Sequence, residues 1–94
     1  MENEAAEGVR NTSPAAFSPR ALMMIEVVGK STSEIIRRLR RIPELLTLHT
    51  TNGAWDLVAE IQVPSLAELD RVIREVRVTD GILNSETSLL LSSV

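Results

Sequence analysis

Apolar and polar positions recur along this chain with two periods, and the switches between them divide it into six segments behind a polar lead-in. Ala21 to Val28 is a short apolar run, broken on one face by Glu26 and ended by Gly29, and it reads as a central strand. Ile35, Ile36, Leu39 and Ile42 then follow at helical spacing and leave Arg37, Arg38, Arg40 and Arg41 outside. Ser31 and Glu34 supply a capping box at the start of that helix, and Pro43 cannot continue it because it lacks an amide hydrogen and its ring clashes with the preceding turn. Leu45 to Thr51 is the next strand. Trp55, Leu57, Ala59, Ile61 and Val63 alternate with Asp56, Val58, Glu60 and Gln62, the pattern of a strand with one face in a core. Between the two, Asn52-Gly53 predicts a tight two-residue hairpin turn, since both residues accept positive φ. Pro64-Ser65 ends the third strand, and Ser65 with Glu68 opens a second helix whose apolar stripe is Leu66, Leu69, Val72, Ile73 and Val76. Asp80-Gly81 turns the chain into a last strand, Ile82 to Leu91.

The order is therefore βαββαβ. Right-handed crossovers interleave its two βαβ halves into a four-stranded antiparallel sheet of order 4-1-3-2 with both helices on one face, an α+β ferredoxin-like sandwich. The other sheet face must be solvated or covered by another chain. Residues 1–20 hold two prolines and few sizeable apolar groups, so the reading is a flexible arm over 1–20 and one domain over 21–94. A folding unit of about 70 residues has a marginal core and needs a staple. Without cysteine there is neither a disulfide framework nor a thiolate metal site, which leaves oligomerisation.

Charge narrows the functions. Ten basic against 13 acidic side chains give a net charge of −3 and a pI near 5.1, which argues against wrapping nucleic acid or an anionic membrane. The longest apolar runs are too short for a transmembrane span or a signal peptide, so the expected location is the cytoplasm. The arginines at 37, 38, 40 and 41 read as a solvated helix face. Glu26, Glu60 and Glu86 lie on strands that would be neighbours, the first two sharing the face away from the helices, and they read as a polar part of a subunit interface. His49 and these scattered acids lack metal-ligand spacing. There is no Ser/His/Asp set, no glycine-rich phosphate loop and no nucleophile beside a base, so neither catalytic residue, metal nor cofactor is expected.

Three motifs in order carry a family resemblance over about residues 21–92. Thr51-Asn52-Gly53-Ala54-Trp55-Asp56-Leu57 looks like T-x-G-x-[YFW]-D-[LI], Leu66 to Arg77 looks like a "DLEELDRLLREI" helix, and Gly81 to Leu89 is similar to G-V-x-x-[ST]-x-T-x-[LIV]. The chain resembles the effector-binding (RAM) domain of the Lrp/AsnC transcription regulators. Full-length members carry a helix-turn-helix domain ahead of this one, whereas here only residues 1–20 precede it. The resemblance thus implies a stand-alone effector domain, or one cut from a full-length regulator, with no direct DNA binding of its own. It further implies a homodimer paired sheet against sheet, a ring of dimers, and a small amino acid held between subunits. The residues it nominates are Thr51, Asn52, Gly53, Trp55, Asp56, Ser85 and Thr87. Asp56 would pair with the α-ammonium and turn amides near Gly53 would accept the α-carboxylate. Trp55 falls on the parity of Leu57 and Ala59, which directs it to the core, with a share in a pocket wall as the other reading. Two alternatives stand beside this one. The chain is a structural partner of a full-length regulator without a ligand, or a small dimeric enzyme on the same fold with a cavity between sheet and helices.

Overall fold

The structure is a computed structural model and describes residues 18–29 and 32–94. Six elements follow in chain order: β1 (Arg20–Val27), α1 (Thr32–Leu39), β2 (Leu45–Thr50), β3 (Leu57–Gln62), α2 (Leu66–Arg77) and β4 (Ile82–Leu89). All neighbouring strands are antiparallel, and the sheet order is β2-β3-β1-β4, the expected 4-1-3-2 read from its other edge.

Period-2 alternation places the core. Ala21, Met23, Ile25 and Val27 of β1 and Leu57, Ala59 and Ile61 of β3 are buried on the helix side, where Ile35 and Leu39 of α1 and Leu69, Val72 and Val76 of α2 meet them. Cross-strand partners share a face. The register therefore puts Leu22, Met24 and Glu26 of β1, Val58 and Glu60 of β3, His49 of β2 and Glu86 of β4 together on the opposite face, which no described element covers. Glu26 and Glu60 share that face as expected, and Arg20 forms an ion pair with Glu60 on it.

Both helices end as their sequences dictate, with one adjustment. Ser65 is the N-cap of α2, its hydroxyl accepting the Glu68 amide at 3.2 Å. The Glu68 carboxylate turns to Arg71 instead (2.9 Å). Arg71 also bonds Glu44 (2.6 Å) and Glu75 (3.0 Å), so it ties α2 to the entry of β2, and the bonds to Glu68 and Glu44 raise its pKa above the ordinary arginine value. Helix α1 stops at Leu39, earlier than its apolar spacing suggests. The amides of Arg41 and Ile42 bond three residues back, so Ile42 enters the core from a tightened turn ahead of Pro43. Ser31, the expected cap of α1, lies outside the described residues.

The fold begins earlier than residue 21. Pro19 is buried, its carbonyl accepts the Val63 amide at 3.0 Å, and the Ser18 hydroxyl donates to the Val63 carbonyl at 3.1 Å, so Ser18 to Arg20 prolong the β1–β3 ladder. The rest of the expected arm, residues 1–17, lies outside the described residues. At the other end β4 stops at Leu89, and Leu90 adds one further bond, from its amide to the Arg20 carbonyl at 2.8 Å.

Candidate functional site

The link between β2 and β3 is wider than the expected hairpin. The β2–β3 ladder closes at Thr50–Leu57, and residues 51–56 form a loop fastened by the Thr51 amide to the Asp56 carbonyl (3.1 Å). The Thr51 side chain organises its interior: its hydroxyl accepts the Gly53 amide at 3.1 Å and donates to the Trp55 carbonyl. Such a hydroxyl imitates a backbone turn and relieves the loop of a left-handed residue. Gly53 accordingly does not have positive φ, unlike Gly29 and Gly81, and a Cβ there would meet nothing nearer than the Thr51 hydroxyl at 3.8 Å. The expected two-residue turn at Asn52-Gly53 is thus replaced by a Thr51-centred loop.

Asp56 has a second attachment. Its amide donates to the Ile25 carbonyl (3.0 Å), and its Oδ2 accepts the Val27 amide (3.0 Å). The carboxylate stands in for one more backbone acceptor and carries the β1–β3 ladder past its last pair, Ile25–Leu57. Oδ1 has no protein partner among the described residues. The amides of Asn52, Ala54 and Trp55 likewise have none among the described residues, while that of Gly53 is taken by Thr51. A carboxylate oxygen and several N–H donors without a partner among the described residues therefore sit within one loop of six residues.

Trp55 is half-buried and stands outside the core cluster. Its expected place in the core fails because β3 begins only at Leu57; in the bend before it, alternation no longer fixes which way a side chain points.

Five of the seven nominated residues, Thr51, Asn52, Gly53, Trp55 and Asp56, share this loop. Ser85 and Thr87 do not join them within one copy. They pair with Ile25 and Met23, so they face the helices from β4, on the far side of β1. Ser85 accepts the Arg77 guanidinium at 3.2 Å, and the Thr87 hydroxyl is buried without a hydrogen-bond partner among the described residues. Sequence reasoning missed the Val27 amide as partner of Asp56 and the unpaired amides of Ala54 and Trp55. The partner of Asp56 lies 29 residues away, beyond any local signal.

Among the described residues no three or more His, Cys, Asp or Glu side chains are grouped to hold a metal ion, and no helix is long and apolar enough to cross a membrane. The space between sheet and helices is filled: Leu57, Ile61 and Leu69 are buried and Ile73 packs on them. Among the described residues this packing counts against the closed polar cavity which the enzyme alternative requires.

Comparison with known proteins agrees with this architecture. An uncharacterized HTH-type transcriptional regulator of Pyrococcus abyssi is 31% identical over 83 residues, covering 87% of this chain and 52% of that protein. The HTH-type transcriptional regulator LysM of Saccharolobus solfataricus is 23% identical over 73 residues, 77% of this chain and 51% of its own. The chain thus spans about half the length of the curated relatives it matches. Among solved structures, Escherichia coli AsnC superposes with a TM-score of 0.77 at 20% identity, over 98% of this chain and 65% of that one. FFRP-DM1 superposes with a TM-score of 0.74 at 22% identity, over 78% of this chain and 99% of that one. The Lrp/AsnC ligand binding domain profile matches residues 20–94, and the chain belongs to that family.

Proposed function

We propose that this domain is the effector-sensing part of a cytoplasmic transcription regulator: it associates with further copies of itself and binds a small amino acid at the loop Thr51–Asp56, without catalysis. The observation that carries the reading is the presence, in one exposed loop, of an Asp56 Oδ1 and amides of Asn52, Ala54 and Trp55 that have no protein partner among the described residues. A zwitterion needs both: the carboxylate suits its ammonium, and clustered N–H donors suit its carboxylate. Ser85 joins such a site only from a neighbouring subunit, and the Thr87 hydroxyl, buried toward the helices, stays out of it. The open sheet face supports self-association, because Leu22, Met24 and Val58 form an apolar row between the acids and His49. The names of the relatives support a regulatory context, in which this domain joins or tunes a full-length regulator of the same family that supplies the DNA contact. Regulation is then linkage: ligand bound between subunits favours one assembly state by its differential affinity.

A thermal-shift screen over the proteinogenic amino acids, followed by calorimetry and native mass spectrometry, tests this. One or a few amino acids should raise Tm and shift the assembly, and Met24→Glu on the open face should abolish the sheet-paired dimer. A chain that is monomeric at micromolar concentration and unresponsive to every amino acid would end the proposal. Stable association without any ligand response would favour instead the structural-partner reading, which the same apolar row supports.

A further inference from the structure

Two asparagines, Asn52 and Asn84, lie among the described residues, and the fold treats them differently. Asn84 sits on β4 opposite Glu26, inside the β1–β4 ladder. Its Oδ1 accepts the amide of Ser85 at 2.9 Å, and the Ser85 hydroxyl is held by Arg77. Asn52 belongs to no ladder. It is exposed, its carboxamide makes no hydrogen bond among the described residues, and the residue that follows is an exposed glycine. Gly53 carries no side chain to obstruct its nitrogen, and the space around it is open: a Cβ placed there would meet only Thr51 Oγ1, at 3.8 Å. Among the described residues one bond holds that nitrogen. Its N–H donates to the Thr51 hydroxyl at 3.1 Å, and the hydroxyl's own proton is committed to the Trp55 carbonyl.

We propose that Asn52 is a site of spontaneous deamidation and that the Thr51 hydroxyl is its brake. The Gly53 nitrogen, once it has given up its proton to solvent base, attacks Cγ of Asn52. A bond forms between them, the bond from Cγ to the side-chain nitrogen breaks, and that nitrogen takes a proton and leaves as ammonia. The product is a cyclic imide. Water opens it at either of its carbonyls, which leaves an aspartate at position 52 or an isoaspartate whose main chain runs through the former side chain. One water enters and one ammonia leaves, with no change of oxidation state. Two features of the loop set the rate in opposite directions. Glycine lets the backbone turn through the conformations that ring closure needs, a freedom that the paired backbone of β4 denies to Asn84. The bond to Thr51 withholds the Gly53 proton from solvent base, and a neutral hydroxyl is too weak a base to remove it, so cyclisation waits for that bond to open. Either product places a carboxylate in the loop that already holds Asp56, and so adds a negative charge to the candidate site. The step requires neither a ligand nor a second copy of the chain.

The test incubates the purified full chain in mildly alkaline buffer made with heavy-oxygen water. Peptide mapping by mass spectrometry follows the conversion of each asparagine, chromatography separates isoaspartate from aspartate, and circular dichroism confirms the fold. Asn52 should convert, to both products, while Asn84 keeps its amide. Thr51→Val should convert Asn52 faster by about threefold, the effect of releasing one exposed hydrogen bond, and Thr51→Ser should keep the wild-type rate. Gly53→Ala adds a Cβ that the loop accommodates, so it should leave Tm unchanged and slow the conversion severalfold. Loss of the Asn84 amide as fast as that of Asn52, aspartate formed without isoaspartate, or a Gly53→Ala chain that converts at the wild-type rate would overturn the site. A Thr51→Val rate no higher than the wild type would overturn the role of Thr51. So would a rise that Asn84 shares, because it would mark opening of the whole fold and not of the loop.

Discussion

Replacing Asp56 separates the task its carboxylate performs in the fold from the one proposed for it in ligand binding. Oδ2 holds the Val27 amide where the β1–β3 ladder would otherwise end, and Oδ1 is the oxygen assigned to an ammonium. A hydrogen bond to a charged group contributes about 1.5–3 kcal/mol in favourable settings, and exposure of Asp56 brings the expected loss for Asp56→Ala to about 1 kcal/mol. In a domain of this size that corresponds to a fall of roughly 4–8 °C in Tm. Asp56→Asn keeps an oxygen acceptor in the same place and removes the charge, so its stability loss should stay under about 0.5 kcal/mol. Ligand binding should order the variants differently. Without the charge the ammonium loses its partner, and both variants should bind the amino acid found by screening at least tenfold more weakly, which is about 1.4 kcal/mol. Thermal unfolding and titration calorimetry on the same three proteins give both orders. Undiminished binding by Asp56→Asn would refute the ligand role. A Tm for Asp56→Ala equal to the wild type would refute the role in the ladder.

Three further substitutions probe the frame that holds the loop. Gly81 has φ +100°, and a Cβ there would lie 2.6 Å from Ile35 Cδ1 and 2.7 Å from Cγ1; Gly81→Ala should therefore lose about 2–4 kcal/mol in urea unfolding, through backbone strain and overpacking together. Thr87→Val removes a buried hydroxyl that finds no partner among the described residues, at nearly constant shape, and should be neutral or stabilising by up to about 1 kcal/mol by the same measurement. Ser65→Ala deletes the N-cap acceptor of α2 and should lower the urea midpoint by the equivalent of about 1 kcal/mol, a loss that Ser65→Asp should not show.

The topology was legible because each element carries its own period. Alternation in β1 and β3 predicts which residues are buried, and the core contains Met23, Ile25, Leu57, Ala59 and Ile61 from those two strands. The second capping box predicts the start of α2, where the Ser65 hydroxyl accepts the Glu68 amide. Where periodicity ends, so does the prediction. Trp55 has the parity of Leu57 yet precedes the strand, and Ile42 keeps the helical spacing of Leu39 yet follows the helix. Pro19 looks like part of a polar arm, but its carbonyl is recruited by Val63, a contact between residues far apart in sequence.

The candidate loop shows why its residues could be named while their arrangement could not. Asn52-Gly53 marks a reversal by composition, and a reversal does occur there. Its conformation, however, follows from which polar groups capture one another, and Thr51 captures the Gly53 amide while Asp56 is captured by Val27. The first bond removes the need for a left-handed glycine at 53; the second anchors the loop's end to a different strand. The glycine whose conformation is indispensable is instead Gly81, where a positive φ and the Ile35 side chain leave no space for a Cβ, and its carbonyl accepts the Val28 amide at 2.9 Å. Gly81 thus positions the end of β1, and β1 presents Val27 to Asp56. The acid in the candidate loop is therefore held in place by a turn on the far side of the strand it bonds, so Gly81→Ala should weaken the proposed ligand binding as well as stability, although residue 81 lies outside the loop.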